Sequence, residues 1–364
     1  MKKKFSVSDM SVLFFSAFFL FSCGFFGGPG PFSVLAPAAA QDDMYDDEED
    51  DEAEVRNRPN PKPIELTGES ALKTSDGVLL TATYYPGKRA EKTVPLLLIH
   101  GWGGSRDDFT TLALYLQKEG HAVLVPDLRG HGKSVTRQLA SEVTQDIDAK
   151  KLKANEQGDL FAEMLKYDLP IMKAFLKKEN NEGKLNLDKL GLIGIESGAI
   201  LATAFAAKDW DPLVKRPGKA DPKTGDVKAV VLISPLRMFA KVKLNDLLAV
   251  NASNQLWMKN FSALVLCGAS PSTSSGIETP ATLEKTMLAS IKKAGGTERT
   301  VSIGPDGKPS TKTGVKKVYG VTIPQTKQQG AKLIAMAAGS VELPTIADFV
   351  NIRLKKRIIP WKER

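Results

Sequence analysis

Cysteine is almost absent from this chain, which has two among its 364 residues. Cys23 lies in the apolar N-terminal segment, so removal of that segment would leave Cys267 alone and exclude an intrachain disulfide. Cys267 ends an apolar run, 263–267, that is typical of a buried strand, and we expect an unreactive thiol there. Stability must therefore come from an apolar core.

Histidine is also scarce: His100, His121 and His131 are the three in the chain, and all of them precede residue 196. The chain lacks an internal repeat and a nucleic-acid-binding motif, and aromatic residues are little interleaved with the basic ones. It also lacks the ordered oxygen spacing of a calcium loop. We therefore expect no metal, no cofactor and no nucleic-acid partner.

The N-terminus has the three regions of an export signal. Lys2–Lys4 is basic, Val12–Phe26 is apolar, and Ala38–Ala40 forms a small-residue cleavage site. The apolar run is short for a membrane span, so we expect no transmembrane segment after cleavage and a periplasmic or extracellular location. The alternative is a lipoprotein signal ending at Cys23, although the bulky Phe21 favours simple cleavage.

Residues 41–63 have the composition of a disordered linker between this signal, residues 1–40, and a domain at 64–364. Asp42–Glu54 carries ten acidic residues and no basic one, and Pro59–Pro63 is rich in proline. The chain beyond the acidic run has a net charge of +16. This charge predicts a solvated basic surface.

The remaining chain alternates apolar strands with helices. The predicted strands are 96–99, 122–126, 190–193, 229–233 and 263–266, and the predicted helices are 107–118, 158–178, 199–205, 281–294 and 344–355. This order predicts an α/β fold, with a mostly parallel central sheet covered by helices on both faces. An Asp76-Gly77 turn between two strand-like runs predicts an N-terminal antiparallel hairpin.

The segment Gly194-Ile195-Glu196-Ser197-Gly198 lies between a predicted strand and a predicted helix. The pattern is that of a nucleophile elbow, G-x-S-x-G, in which the middle residue occupies the apex of a sharp turn. The two glycines avoid the clash that a Cβ would cause. Glu196 stands at the apex, and Ser197 follows one place later.

Four features in order resemble the α/β-hydrolase superfamily of esterases, lipases and serine aminopeptidases. They are the Asp76-Gly77 hairpin, the segment His100–Ser105, the segment Asp127–Ser134 and the elbow. The resemblance implies an α/β-hydrolase fold with two backbone N–H donors for an oxyanion, near Trp102 and at Ser197. It also implies a site lined by Gly101, His131 and Gln329.

The residues of the family's catalytic triad are largely missing here. The family uses a nucleophile, then an acid, then a histidine in chain order. An aspartate attacks in some members, but Glu196 is one methylene longer, and no histidine follows it to activate water. By resemblance Gln329 stands where that histidine is usual, and glutamine cannot accept a proton near neutral pH. No carboxylate follows Gly268 before Glu278, where the acid is usual.

Glu196 and Ser197 have other possible roles. The Ser197 hydroxyl would satisfy nearby backbone donors while its side chain points away from the oxyanion site. Glu196 would either occupy that site as a built-in anion beside a helix N-terminus or, if desolvated, acquire a raised pKa. We expect His100 and His131 to be structural and His121 to lie away from the site. A pairing of His131 with Glu196 or Ser197 is the remaining route to catalysis.

Two functions follow from these residues. The first is an exported, non-catalytic protein of this fold that binds a small molecule or an acyl-type compound. The second is a divergent hydrolase of ester or amide bonds that uses Glu196 or Ser197 as its nucleophile. A third, a surface-interaction protein, rests on the acidic linker and the basic domain alone.

Overall fold

The computed structural model describes residues 52–139, 143–153, 156–211, 225–251, 254–269, 276–296, 317–323, 326–335 and 341–364. The predicted signal, residues 1–40, and most of the acidic run lie outside these ranges. Within them, no helix combines the length and the apolar composition needed to cross a bilayer.

One eight-stranded sheet forms the centre of the domain. Its strands are β1 Ile64–Leu66, β2 Ala82–Tyr85, β3 Pro95–Ile99, β4 Ala122–Pro126, β5 Leu190–Ile195, β6 Val227–Ile233, β7 Ser262–Gly268 and β8 Val318–Ile323. Their order across the sheet is β1-β2-β4-β3-β5-β6-β7-β8. Strand β2 pairs antiparallel with β1 and β4, and the remaining pairs are parallel. The predicted, mostly parallel sheet is confirmed.

Helices connect the strands. They are α1 Glu52–Asn57, α2 Thr110–Lys118, α3 Gln157–Glu163, α4 Leu169–Asn181, α5 Ser197–Asp209, α6 Leu244–Leu248, α7 Gln255–Asn260, α8 Pro280–Lys293, α9 Ala331–Ile334 and α10 Glu342–Val350. Two π-helical segments, Met164–Asp168 and Asn351–Lys355, join α3 to α4 and extend α10. The proline in the predicted 158–178 helix, Pro170, lies in the first turn of α4, directly after the π-helical segment Met164–Asp168.

Alternate residues of the central strands pack against helices on opposite faces of the sheet. In β3, Leu97 and Ile99 join a core with α4, α5 and α8. Leu96 and Leu98 join a second core with α2 and α10. The prediction of helices on both faces is thus confirmed. Because both faces are covered, the inner strands consist of continuous apolar runs, which is why they were predictable.

The predicted hairpin is present as a small ribbon. Leu72–Lys73 pairs antiparallel with Leu79–Leu80, and Gly77 in the turn has φ 90°, a conformation that favours glycine. Two further ribbons, Thr136–Gln138 with Thr144–Asp146 and Met238–Phe239 with Val242–Lys243, were not predicted. They are too short and too exposed for a hydrophobic period to mark them.

Edge strands were also missed. Strand β8 at the sheet edge is half-exposed along most of its length and contains Gly320, so it has no continuous apolar run. By contrast, Cys267 in β7 is buried, and burial raises its pKa to about 12. The thiol therefore stays protonated, as expected for an inert core cysteine.

Part of the expected disordered linker is packed onto the domain. In α1, Val55 is buried and Arg56 donates to Glu119 at 2.6 Å. The Lys88 ammonium donates to the Val55 and Arg58 carbonyls. The packed structure therefore begins before residue 63, because partners on the domain neutralise and cover a segment whose own composition is unfavourable for folding.

A buried arginine joins three elements beneath one end of the sheet. The Arg129 side chain, in the loop after β4, is 0% exposed and donates to Asp168 at 2.7 Å, Asp76 at 2.8 Å and Glu163 at 2.6 Å. Arg137 donates to Asp76 and Glu163 from a more exposed position. These ion pairs fix the hairpin turn and the α3–α4 segment to the loop that carries His131.

Replacing Arg129 with methionine should destabilise the protein by about 3–5 kcal/mol, because Asp168 then remains buried without a cation. Urea unfolding measures the loss. Arg137→Met is the control: Arg129 still neutralises Asp76 and Glu163 there, so the cost should be about 0–1 kcal/mol. Equal, small losses for the two variants would show that the buried network does not stabilise the fold.

Candidate active site

Glu196 occupies the apex of the turn between β5 and α5. Its backbone has φ 52° and ψ −112°, a strained conformation for a residue with a side chain. A Cβ on Gly198 would overlap the Ile99 and His100 carbonyl oxygens, and one on Gly194 would overlap the first turn of α5. The predicted strand-turn-helix geometry is therefore present, and its tightness requires both glycines.

The Glu196 carboxyl lies between two loops that meet over the apex. A Cβ on Gly101 would lie 3.1 Å from Oε2, and a Cβ on Gly330 would overlap Oε1. Gly330 also has φ 58°. Glycine at these positions leaves space for the carboxyl group, which fills the region above the turn.

The surroundings of this carboxyl favour its neutral form. Among the described residues, none donates a hydrogen bond to it and no cation pairs with it. Partial burial raises the pKa of Glu196, and the nearby negative charge of Asp108 raises it further. Of the two roles expected for a glutamate here, the desolvated one agrees with this pKa shift.

The Ser197 hydroxyl accepts a hydrogen bond from the Trp102 N–H, with an N–O distance of 2.7 Å. The expectation that this hydroxyl satisfies a nearby backbone donor is confirmed, whereas the expectation that the side chain points away from the oxyanion donors was wrong. The alternative that Glu196 occupies the oxyanion site as a built-in anion was also wrong at the Trp102 donor, because Ser197 occupies it. The covalent geometry of serine places its hydroxyl near its own N–H. That N–H, at the start of α5, has no partner among the described residues.

His100 is a structural residue. The Leu128 N–H donates to its Nε2 at 3.0 Å, so Nδ1 carries the proton and donates to the Gly101 carbonyl at 2.7 Å. Burial lowers its pKa to about 4. The ring stays neutral and ties the loop after β3 to the loop after β4.

His131 also stabilises its own loop. Its Nδ1 lies 2.9 Å from the Arg129 carbonyl, which can only accept, so Nδ1 carries the proton. Burial lowers the pKa of His131. Its Nε2 is buried and, within the described ranges, has no partner. His121 is buried at the start of β4, at the opposite strand end from the turn, and burial lowers its pKa to about 3.

Gln329 is held by two donors on neighbouring strand ends. Its Oε1 accepts from the Ser234 hydroxyl at 2.8 Å and from the Gly268 N–H at 3.2 Å. The Gly268 N–H can only donate, which fixes the orientation of the amide. Ser234 also accepts from the Gly330 N–H at 2.9 Å and so holds Gly330 over Glu196.

Ser234 was not found from the sequence. It follows β6, is fully buried and has φ 46°. The one sequence feature that could have indicated Ser234 is a serine before Pro235 at the end of a strand. Many loops share this feature. Glu278, the first carboxylate after β7, lies 3.5 Å from Arg237. Among the described residues, no carboxylate is hydrogen-bonded to Gln329 or to an imidazole.

Two spaces border these residues. An open cleft of about 480 Å³ lies between the loops after β3 and β4; its lining includes Gly104, Asp108, His131 and Lys150. A small cavity of about 10 Å³, room for about one water, is lined by Trp102, His131 and Ser197 among others. The structure thus brings Trp102, Ser197 and His131 together, with Gly101, Glu196 and Gly330 adjoining them.

Replacing Glu196 with glutamine should stabilise the protein at about pH 8 and leave it unchanged at about pH 4. A carboxyl with a raised pKa in the folded state is protonated at low pH in both states. As the pH rises through the folded pKa, the native state loses stability relative to the unfolded chain, and glutamine removes that loss. Thermal unfolding at the two pH values measures the effect. The exposed Glu69→Gln serves as control; a shift of the same size at both pH values for Glu196→Gln would contradict the prediction.

Comparison with known proteins identifies a family that matches this chain. A model of the α/β hydrolase fold matches residues 94–275. Lipase 3 of Moraxella sp. (strain TA144) is 43% identical over 58 residues, 16% of this chain and 18% of the lipase. Lipase 1 of Psychrobacter immobilis is 55% identical over 58 residues, 16% of this chain and 17% of the lipase. The matched segment therefore spans less than a fifth of either lipase.

Solved structures are similar at low identity. An esterase of Pyrococcus furiosus is 14% identical, with 83% of this chain and 93% of the esterase covered and a TM-score of 0.49. A dienelactone hydrolase of Anabaena variabilis is 17% identical, with 80% of this chain and 97% of that chain covered and a TM-score of 0.42. Because the family match spans half of the chain, and the sheet order and the turn at Glu196 agree with the expected fold, the chain belongs to the α/β-hydrolase-fold family.

Proposed function

We propose that this protein is an exported member of the α/β-hydrolase-fold family that binds a small acyl-type molecule without hydrolysing it. One observation carries the proposal: among the described residues, no imidazole is hydrogen-bonded to Glu196 or to Ser197. Acyl transfer on this fold needs a base that takes the nucleophile's proton and later activates water.

Glu196 is poorly suited to be the nucleophile. Attack requires the carboxylate, whereas burial and the charge of Asp108 favour the neutral acid. If an ester did form on Glu196, its hydrolysis would still need an activated water. Neither His100 nor His131 is hydrogen-bonded to Glu196: the His100 Nε2 lone pair accepts from the Leu128 N–H, and the His131 Nε2 has no partner among the described residues.

Ser197 is no better placed. It is 4% exposed, and its oxygen accepts from the Trp102 N–H, which lowers its electron density. Gln329 cannot take a proton, and its carbonyl oxygen is already engaged by Ser234 and Gly268. Among the described residues, the Ser197 and Gln329 oxygens are held in structural hydrogen bonds, and the unpaired His131 Nε2 is bonded to neither candidate nucleophile.

The remaining features support binding. The cleft of about 480 Å³ between the loops after β3 and β4 has the size of a small-molecule site. An acyl-type ligand agrees with the names of the two lipases that match over 58 residues. The signal-like residues 1–40 support an exported location, with lipid attachment at Cys23 as the less favoured alternative.

The proposal is tested on the purified full-length protein with a panel of short-chain aryl esters and a fluorophosphonate probe. We expect neither turnover nor covalent labelling, and we expect Glu196→Ser alone to restore neither, because among the described residues no imidazole is hydrogen-bonded to the apex residue. Ligand binding is measured in parallel as an increase in melting temperature with carbonyl-containing small molecules.

Sustained ester turnover that is lost in both Glu196→Gln and His131→Asn would overturn the proposal and establish the divergent hydrolase instead. Glu69→Gln, far from these groups in the chain and exposed, is the matched control for Glu196→Gln and should leave any turnover intact. Absence of both turnover and stabilisation by the panel would argue against an acyl-type ligand.

A further inference from the structure

Two backbone donors border one position above the start of α5. The Trp102 N–H donates to the Ser197 hydroxyl oxygen at 2.7 Å, and the Ser197 N–H belongs to the same residue as that oxygen. A hydroxyl oxygen of the protein therefore occupies the Trp102 N–H, one of the two donors that a ligand oxygen would use. Such a ligand cannot bind there unless this hydroxyl moves.

The adjoining cavity offers the Ser197 hydroxyl a second position. The Arg129 carbonyl holds the proton of His131 on Nδ1, so Nε2 is an acceptor. His131 is 5% exposed, and this acceptor has no partner among the described residues. Ser197 and His131 line the same small cavity of about 10 Å³, which admits a hydroxyl group or one water. An unpaired buried acceptor costs free energy, and the Ser197 hydroxyl is a donor that adjoins this space.

We propose that Ser197 gates the two N–H donors, an inference that rests on the ligand-binding function proposed above. In the free protein its oxygen caps the Trp102 N–H. When a ligand oxygen arrives, rotation about the Cα–Cβ bond turns the hydroxyl into the cavity. There it donates to His131 Nε2, directly or through one water, and the ligand oxygen accepts from Trp102 and Ser197. No covalent bond forms or breaks.

The charges near the Trp102 and Ser197 N–H groups determine whether a neutral or a charged ligand is favoured. Glu196 adjoins the site on the Gly101 side, and Asp108 is close enough to raise the pKa of Glu196. The negative charge of Asp108 disfavours an anion, and Glu196, whose neutral form is favoured, offers no compensating cation. A neutral carbonyl compound, such as a ketone or an ester, offers the same acceptor without the repulsion. The gate therefore favours a neutral carbonyl oxygen over a carboxylate.

The gate is tested by titrating the full-length ¹⁵N-labelled protein with 2-heptanone and following two NMR signals. We expect the Trp102 amide to shift, and the His131 Nε2 resonance to move in the direction of a newly accepted hydrogen bond. Ser197→Ala should bind the ketone more tightly, on the order of tenfold, because no hydroxyl competes for the Trp102 N–H. In that variant His131 should not respond. Ser70→Ala, an exposed serine elsewhere, should bind like the wild type.

Heptanoate is the matched anion, and it should bind more weakly than the ketone. Equal binding of the two would overturn the ligand class. No binding of the ketone by either protein, or binding without a change at Trp102 and His131, would overturn the gate. The wild-type signals decide this even if Ser197→Ala does not fold. The ester panel separately decides whether the protein is a hydrolase, so the two proposals fail by different observations.

Discussion

The site depends on the strained turn at Glu196. A glutamate backbone at φ 52° costs a conformational free energy of the order of 1–3 kcal/mol. The conformation persists because β5, α5 and the neighbouring loops constrain the backbone of the turn. Gly194 and Gly198 make the close approach possible. The turn brings the first N–H of α5 next to the loop after β3, and from this all the other contacts of the site follow.

The backbone framework of the site agrees with that of a hydrolase, whereas its side chains do not form a catalytic set. The tight elbow, the loop after β3 with Trp102 and the loop after β4 with His131 are the parts that hydrolases of this fold use for positioning. In this chain three polar side chains of the site make structural contacts. Ser197 binds Trp102, His131 binds Arg129, and Gln329 binds Ser234. The framework has kept its shape while its hydrogen bonds hold the loops together.

Much of the fold could be predicted from the sequence, because the inner strands are buried on both faces and appear as continuous apolar runs. Strand β8 and the small ribbons could not, since they are short or half-exposed and carry no such signal. The segment with Val55 and Arg56 looked like a linker for a related reason. Its local composition is charged, and the partners that order it, such as Glu119, lie far away in the chain.

The sequence by itself determined the fold, the apex residue and the absence of a histidine after Glu196, because these follow from residue type and order. Only the tertiary structure decided which way the Ser197 hydroxyl points, that Ser234 holds Gln329, and that the buried His131 Nε2 has no partner among the described residues. Each of these contacts joins loops from different strands, some separated by about a hundred residues. Side-chain direction in such loops is set by packing across the sheet ends, which no local pattern of residues encodes.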